Sequence, residues 1–278
     1  MPTPIKSLLP GATLGVLGGG QLGRMFVHCA QRMGYQTVVL DPDPQSPAGL
    51  VSHHHITKDY TDPKGLSELV RLCDAVTTEF ENVPAEALQE LAAHVPTNPS
   101  AFAVSIAQDR MREKKHFTEC NVPVAPYAEI KDAEDLKSVP QHLLPGILKT
   151  ARLGYDGKGQ IRVKSQAELK LAWEELQSSN QGGVHRFMPC VLEKLLPLAF
   201  ECSIVLARNE RGEVAHLPVQ RNIHRDGILA LTHVHDGCLP KELERLAKEH
   251  ASAIASQLDY VGVLCVEFFV LKLSLIHI

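Results

Sequence analysis

"GVLGGGQLGRM", Gly15 to Met25, carries the spacing Gly18-x-Gly20-x-x-Gly23. Ahead of it, Thr13 to Leu17 is a short apolar run that predicts a strand. Behind it, Gln21 to Met33 sets Leu22, Met25, Phe26 and Cys29 at helical spacing. Gln36 to Leu40 is a second β-rich run, and Asp41 follows it. The segment therefore reads as strand, glycine turn, helix, strand. Glycines there permit a tight turn and let an anion approach the N–H groups at the helix start. Three readings fit these residues. One is a NAD or FAD site, with Asp41 where a ribose-binding acid would lie. The second is a tight turn with no ligand, and the third is a loop for some other phosphate-bearing ligand.

The rest of the chain limits the choice. Its 278 residues suffice for two or three small domains with real cores. With 44% hydrophobic and 22% charged residues it reads as a soluble globular protein, and a net charge of −4 gives no basic footprint for nucleic acid. Seven cysteines are scattered without a CxxC pair, which predicts reduced core residues in a cytoplasmic protein. No apolar run reaches membrane-spanning length and the N-terminus does not read as a signal peptide, so no membrane partner is expected. His53, His54 and His55 suggest a metal, but neighbours on a strand point to opposite faces, so a loop or strand-edge cluster is the expected reading.

Residues 1 to about 100 alternate strand and helix. Ala75 to Thr78 predicts a strand with Glu79 and Glu81 beyond its C-terminal end, where ligands of parallel sheets gather. Pro84 suits the first turn of a helix running to about His94. Ser100 is a plausible N-cap for one long helix to about Glu119, ended by the prolines of "NVPVAP". A short strand, Pro145 to Thr150, carries Lys149 near its end. A second glycine-rich loop follows, "GYDGKGQ", Gly154 to Gln160. Ile161 to Val163 predicts strand, Gln166 to Gln177 helix, Val191 to Leu206 strand broken at Pro197, Lys241 to Leu258 helix, and Val261 to Leu271 strand.

Several residues carry chemistry. Lys149 can reach phosphate oxygens, and the loop can close over them with backbone N–H groups and Lys158; a hairpin turn with surface charges is the plain alternative. If Phe200 to Leu206 is a strand, Phe200, Cys202, Ile204 and Leu206 face a core and Glu201 points the other way, suited to ribose hydroxyls or to solvent. Glu267 sits in "VGVLCVEFFVL", apolar on both sides, which predicts a buried carboxylate relieved by a divalent cation or an ion pair.

Taken together, "GVLGGGQLGRM", "VVLDPDPQSPA", "EFENVP", "QDRMREKKHF", "ILKTARLGYDGKGQ", "NIHRDGIL" and "GVLCVEFF" resemble the ATP-grasp ligases, and within them the 5-(carboxyamino)imidazole ribonucleotide synthases. The resemblance runs from about residue 13 to 270. It implies an α/β ATP-grasp fold with a Rossmann-like substrate-binding domain at 1–108, a small lobe at 109–193 and a large lobe at 194–278. It also implies that the first glycine loop serves the ribonucleotide and not NAD, with Gly20, Gln21, Leu22, Glu79 and Glu81 beside that substrate. ATP would be held by Arg110, Lys149, Gly154, Tyr155, Asp156, Gly157, Lys158, Gly159, Gln160, Glu193, Lys194, Leu195, Leu196, Glu201 and His224. Lys149, Tyr155 and Asp156 would act in catalysis and Glu267 would carry Mg2+. Aminoimidazole ribonucleotide and bicarbonate would be the substrates, joined by way of carboxyphosphate. A homodimer is compatible with the chain. In the resembling family a strand with an Asn–Glu pair and a further domain follow the Glu267 strand, whereas this chain ends "LKLSLIHI". The expectation is an incomplete large lobe, an exposed sheet edge, one metal ligand fewer and ATP turnover near background.

Overall fold

The computed structural model describes residues 7–152, 154, 159–178, 188–225, 228–271 and 274–277. The chain divides into two compact units, Met1–Ser105 and Ile106–Ile278.

The first unit alternates strand and helix: β1 (Thr13–Leu17), α1 (Gln21–Arg32), β2 (Gln36–Leu40), β3 (His54–Ile56), α2 (Pro63–Leu72), β4 (Ala75–Thr78), α3 (Ala85–Ala92) and α4 (Ala101–Ala107), the last running across the division. The strands form a parallel sheet in the order β3-β2-β1-β4. The apolar runs are continuous because the sheet is covered on both faces. Val16 and Val39 pack with Val27 and Ala48 on one side. Leu17, Val38, Leu40 and Val76 pack with Leu66, Leu69, Leu88 and Leu91 on the other. The histidine run lies on and beside the edge strand β3, and its rings disperse. His53 meets Thr37, His54 meets Glu68, and His55 meets the Asp41 carbonyl.

The long helix expected from Ser100 to Glu119 is two helices. Ser100 Oγ accepts from Ala103 N as an N-cap should. The chain then breaks at Gln108–Asp109 and restarts as α5 (Arg110–Glu119), because extended Asp109 accepts from Met111 N and Arg112 N and caps a new helix.

The second unit holds two sheets. The smaller is antiparallel in the order β5-β8-β6-β7, built from β5 (Tyr127–Ile130), β6 (Gly146–Thr150), β7 (Gln160–Val163) and β8 (Cys190–Lys194). Helices α6 (Asp135–Ser138) and α7 (Gln166–Ser178) lie between these strands in sequence. Leu148, Cys190 and Leu192 turn inward onto Leu169, Ala172 and Trp173. Alternation sends Lys149 and Glu193 to the opposite face.

The larger sheet runs β12-β11-β9-β13-β14, with β10 (Val214–His216) also paired to β9. Its strands are β9 (Phe200–Arg208), β11 (Gln220–Arg225), β12 (Ile228–His233), β13 (Gly262–Leu271) and β14 (Ser274–His277). Cys202, Ile204, Leu206, Val266, Phe268 and Val270 are buried on one face. Helix α8 (Lys241–Gln257) covers them, with His250 against Phe268. The other face carries Glu201, Ser203 and Glu267 among Val205, Cys265 and Phe269. The expectation of a bare edge beyond β13 fails in the described residues, since Ser274–His277 pairs antiparallel with Phe268–Leu271 and Ile276 is buried. No helix among the described residues is long and apolar enough to cross a membrane.

Candidate active site

In the first unit the four glycine amides of the loop are already taken. Gly18 N donates to Leu40 O, and Gly19 N donates to Asp41 Oδ2 at 2.7 Å. Gly20 N donates to Glu79 Oε1 at 2.6 Å, and Gly23 N donates to Glu79 Oε2. The Glu79 carboxylate thus occupies the seat at the helix start where a phosphate would sit in a dinucleotide site. This loop requires glycine: Gly18 has φ +105°, and a Cβ at Gly18, Gly20 or Gly23 would run into Glu79. Asp41, the candidate ribose acid of the NAD reading, is itself buried and also accepts from Tyr60 Oη at 2.7 Å. Gln21 and Leu22 are exposed on the first turn of α1. Glu81 is exposed and accepts from Asn82 Nδ2.

In the second unit charge is concentrated on the face of the small sheet turned away from α7. Lys149 of β6 donates to Glu193 Oε2 of β8 at 2.8 Å. Lys114, from α5, puts Nζ 3.0 Å from Glu193 Oε1, close enough for an ion pair though not aligned as a hydrogen bond. Lys114 is 2% exposed, a rare burial for a lysine. Its ammonium also lies 5.4 Å from the centre of the Tyr127 ring, and Tyr127 is the β5 neighbour of Glu193. Arg110, at the start of α5, is tied by its backbone N–H to Ala151 O just after β6. One carboxylate therefore faces a surplus of cations. Burial alone would raise the Glu193 pKa, but Lys149 and Lys114 outweigh it and hold the group down at about 2. Burial, then the like charges of Arg110 and Lys114, pulls Lys149 below the usual lysine range despite Glu193. The Glu193 shift marks two cations on one carboxylate, and the Lys149 shift marks a buried ammonium beside like charges. Burial pushes the carboxyl of nearby Glu113 up to about 7, against the pull of Arg110 and Lys114.

The carboxylate-bearing face of the large sheet supplies the counterpart. Glu201 Oε2 lies 2.8 Å from His224 Nδ1. Glu267 stands in register with Ser203, and Glu201 with Phe269, so both carboxylates share this face. Here the sequence reading of Glu267 is corrected. It is exposed, not buried, because the β13 alternation buries Val266, Phe268 and Val270 and turns Glu267 outward. Burial, and repulsion from Glu267, raise the Glu201 pKa, while His224 and Lys149 lower it. Lys149, Glu201, His224 and Glu267 thus act on one electrostatic neighbourhood. Among the described residues no three His, Cys, Asp or Glu side chains converge as a metal cage.

Of the remaining loop positions, Gly154, Gly159 and Gln160 are described. Gly159 has φ +70° and its carbonyl accepts from Thr150 N, pinning the loop's end to β6. Tyr155, Asp156, Gly157 and Lys158 lie outside the described residues. After β8, Lys194 N donates to Pro126 O and Leu195 N to Pro145 O, while Leu195 is exposed and Leu196 partly so. Sequence reasoning singled out neither Lys114 nor Glu113. The signal was the stripe Arg110, Glu113, Lys114, Phe117, which shares one face of a helix at i, i+3, i+4, i+7.

Residues 11–108 match a ribonucleotide synthetase preATP-grasp domain, and residues 115–277 match an ATP-grasp domain. Over 267 residues the chain is 41% identical to the N5-carboxyaminoimidazole ribonucleotide synthase of Brucella melitensis biotype 1, covering 96% of this chain and 72% of that protein. The chain belongs to the N5-carboxyaminoimidazole ribonucleotide synthase family. Its fold is similar to that of an ADP complex of such a synthetase, with a TM-score of 0.90 at 34% identity, covering 99% of this chain and 71% of that one. It is also similar to the synthase from Aspergillus clavatus in complex with ADP and 5-aminoimidazole ribonucleotide. There the TM-score is 0.82 at 29% identity, covering 98% of this chain and 69% of that one. The synthase-family fold is thus the α/β ATP-grasp architecture with its preATP-grasp domain.

Proposed function

We propose that the chain carries out the ATP-dependent carboxylation of 5-aminoimidazole ribonucleotide by bicarbonate, giving N5-carboxyaminoimidazole ribonucleotide for purine synthesis. The observation that carries this reading is the pair of buried lysines, Lys149 and Lys114, on the one carboxylate of Glu193, with Arg110 close enough to act on Lys149, in a chain of this family. Bicarbonate is a poor electrophile, and phosphorylation by ATP turns it into carboxyphosphate, which the exocyclic amine of the ribonucleotide can attack directly or as released carbon dioxide. The protein's part is positioning and charge stabilisation.

In this reading Lys149 and Arg110 offset the charge of the nucleotide phosphates. Glu193 to Leu196 border the adenine, and Glu201 accepts from the ribose, oriented by His224. The Gly154–Gln160 loop covers the phosphates, with Tyr155 and Asp156 toward bicarbonate and amine. Glu267, exposed on the same face as Glu201, is a hard oxygen donor. It would hold Mg2+, which when bound neutralises phosphate charge. The glycine loop of the first unit serves the ribonucleotide through Gly20, Gln21, Leu22, Glu79 and Glu81. A carboxylate anchored on two amides presents its remaining lone pairs to hydroxyl or amine donors, whereas a dinucleotide's phosphates would have to displace it. Seven unpaired cysteines suit a reducing cytoplasmic compartment.

The test measures ADP release from Mg-ATP with bicarbonate and 5-aminoimidazole ribonucleotide supplied together and singly. The expected result is release that requires both. ATP hydrolysis indifferent to both, or tight NAD binding in a direct titration, would overturn the reading.

A further inference from the structure

We propose that Lys114 is a positioning residue: it is the permanent counter-ion of Glu193, and it frees Lys149 to leave that carboxylate for the nucleotide phosphates. The proposal rests on the nucleotide reading above and adds a division of labour between two lysines that look equivalent in charge.

The geometry separates them. Each lysine takes its own carboxylate oxygen, Lys114 at Oε1 and Lys149 at Oε2, so losing one contact does not remove the other. Lys114 is the more deeply enclosed. It is held on α5, which also buries His116 and Phe117, and lies over the Tyr127 ring, in a helix fixed at its start by the Asp109 cap. Lys149 stands near the end of β6, where the chain enters the glycine-rich loop, and its charge is felt at Glu201 on the large sheet.

Consider Lys149 without Lys114. Glu193 is as buried as the two lysines, and an unpaired charge in that setting is strongly unfavourable. Moving Lys149 from Glu193 to a phosphate would then strand the carboxylate, and the transfer would be opposed. With Lys114 in place Glu193 stays neutralised throughout. The surplus cation is the one that moves, and the incoming anion discharges the cluster. The opposite assignment would move the more enclosed lysine, 2% exposed against 6% for Lys149, off the Tyr127 ring as well as off Glu193.

The test uses Lys114→Met, and Lys114→Met combined with Glu193→Gln, in the full chain, with folding checked by circular dichroism. Affinity is read for Mg-ATP by calorimetry and compared with the KM for the ribonucleotide and with kcat. Lys114→Met should pin Lys149 to Glu193 and weaken Mg-ATP binding by about tenfold or more, as for loss of a buried charge's partner. The ribonucleotide KM should hardly move. Adding Glu193→Gln removes the carboxylate that traps Lys149 and should recover affinity over Lys114→Met alone. A merely structural lysine would give the reverse, with the second substitution adding to the loss. Unchanged affinity in Lys114→Met, or a double variant weaker than the single, overturns the proposal. Failure of the unaltered chain to bind Mg-ATP overturns the nucleotide reading instead. Should Lys114→Met not fold, a crystal structure of the unaltered chain with Mg-ADP decides. Lys149 on the phosphates with Lys114 still on Glu193 supports the proposal, and both lysines still on Glu193 refutes it.

Discussion

Replacing Glu79 by its isostere should harm the first unit at least as much as deleting the side chain. Both carboxylate oxygens accept backbone N–H groups, Oε1 from Gly20 and Oε2 from Gly23. Hydrogen bonds to a charged acceptor contribute about 1.5–3 kcal/mol each. Glu79 is half-buried, so water recovers part of that and the lower end applies. Glu79→Ala loses both bonds but opens space for water to reach both amides, giving a net cost of about 2–3 kcal/mol. Glu79→Gln keeps one neutral bond and turns an NH2 donor toward the other N–H. It trades about 3 kcal/mol of charged bonding for about 1 kcal/mol and adds a donor–donor conflict, again about 2–4 kcal/mol. Hydrogen exchange of the Gly20 and Gly23 amides reports this locally. A 2 kcal/mol loss corresponds to about 30-fold faster exchange in both variants. Glu79→Gln exchanging like the unaltered chain, while Glu79→Ala exchanges fast, would show that charge is not what holds the loop.

Three further outcomes are expected. Lys149→Ala should weaken Mg-ATP binding by about 1.5–3 kcal/mol in calorimetry, as for a lost charge-assisted hydrogen bond. Glu113 is raised to about 7 by burial, so its contribution to stability is full below the ordinary carboxylate range and is lost as pH rises through 7. Glu113→Gln should therefore match the unaltered chain in urea unfolding at pH 4 and exceed it at pH 8. Glu193 is held at about 2, the opposite case: its contribution is full above about 4.5 and disappears as pH falls toward 2. Urea titrations between pH 6 and pH 2 should show that loss, and Glu193→Gln should flatten it.

The first unit was largely readable because its signals are local, although β3 and α2 were not delimited. Strand, glycine turn and helix follow one another, and the apolar runs of β1 and β2 name both covered faces. Where reading failed, a distant or competing interaction decided. Asp109 looked like one polar residue in a helical stretch, but its side chain satisfies two amides better as a cap than as a helix interior residue, and it splits the helix. Glu267 looked buried because its sequence neighbours are apolar. Burial on a strand alternates, however, and only the pairing of β13 with β9 says which face is closed. The hairpin β11–β12 went unread, since its six-residue outer strand is exposed throughout and so shows no alternation. Lys114 was hidden by composition. Among four consecutive charged residues, Arg112 to Lys115, only the spacing to Phe117 marks the inward side.

The two glycine-rich segments also explain why spacing alone misleads. Gly18-x-Gly20-x-x-Gly23 has the shape of an anion seat, yet the protein fills it with Glu79 and ties Gly19 to Asp41. A phosphate arriving there would meet two carboxylates already seated on the glycine amides. The charge balance is opposite beside β6. Lys149 and Lys114 both pair with Glu193, and burial, with the like charges of Arg110 and Lys114, loosens the hold on the Lys149 proton. On the proposed reading a polyanion meets carboxylates at the first place and two lysines at the second, so the partner charges that the fold already supplies, and not loop spacing, separate the two segments.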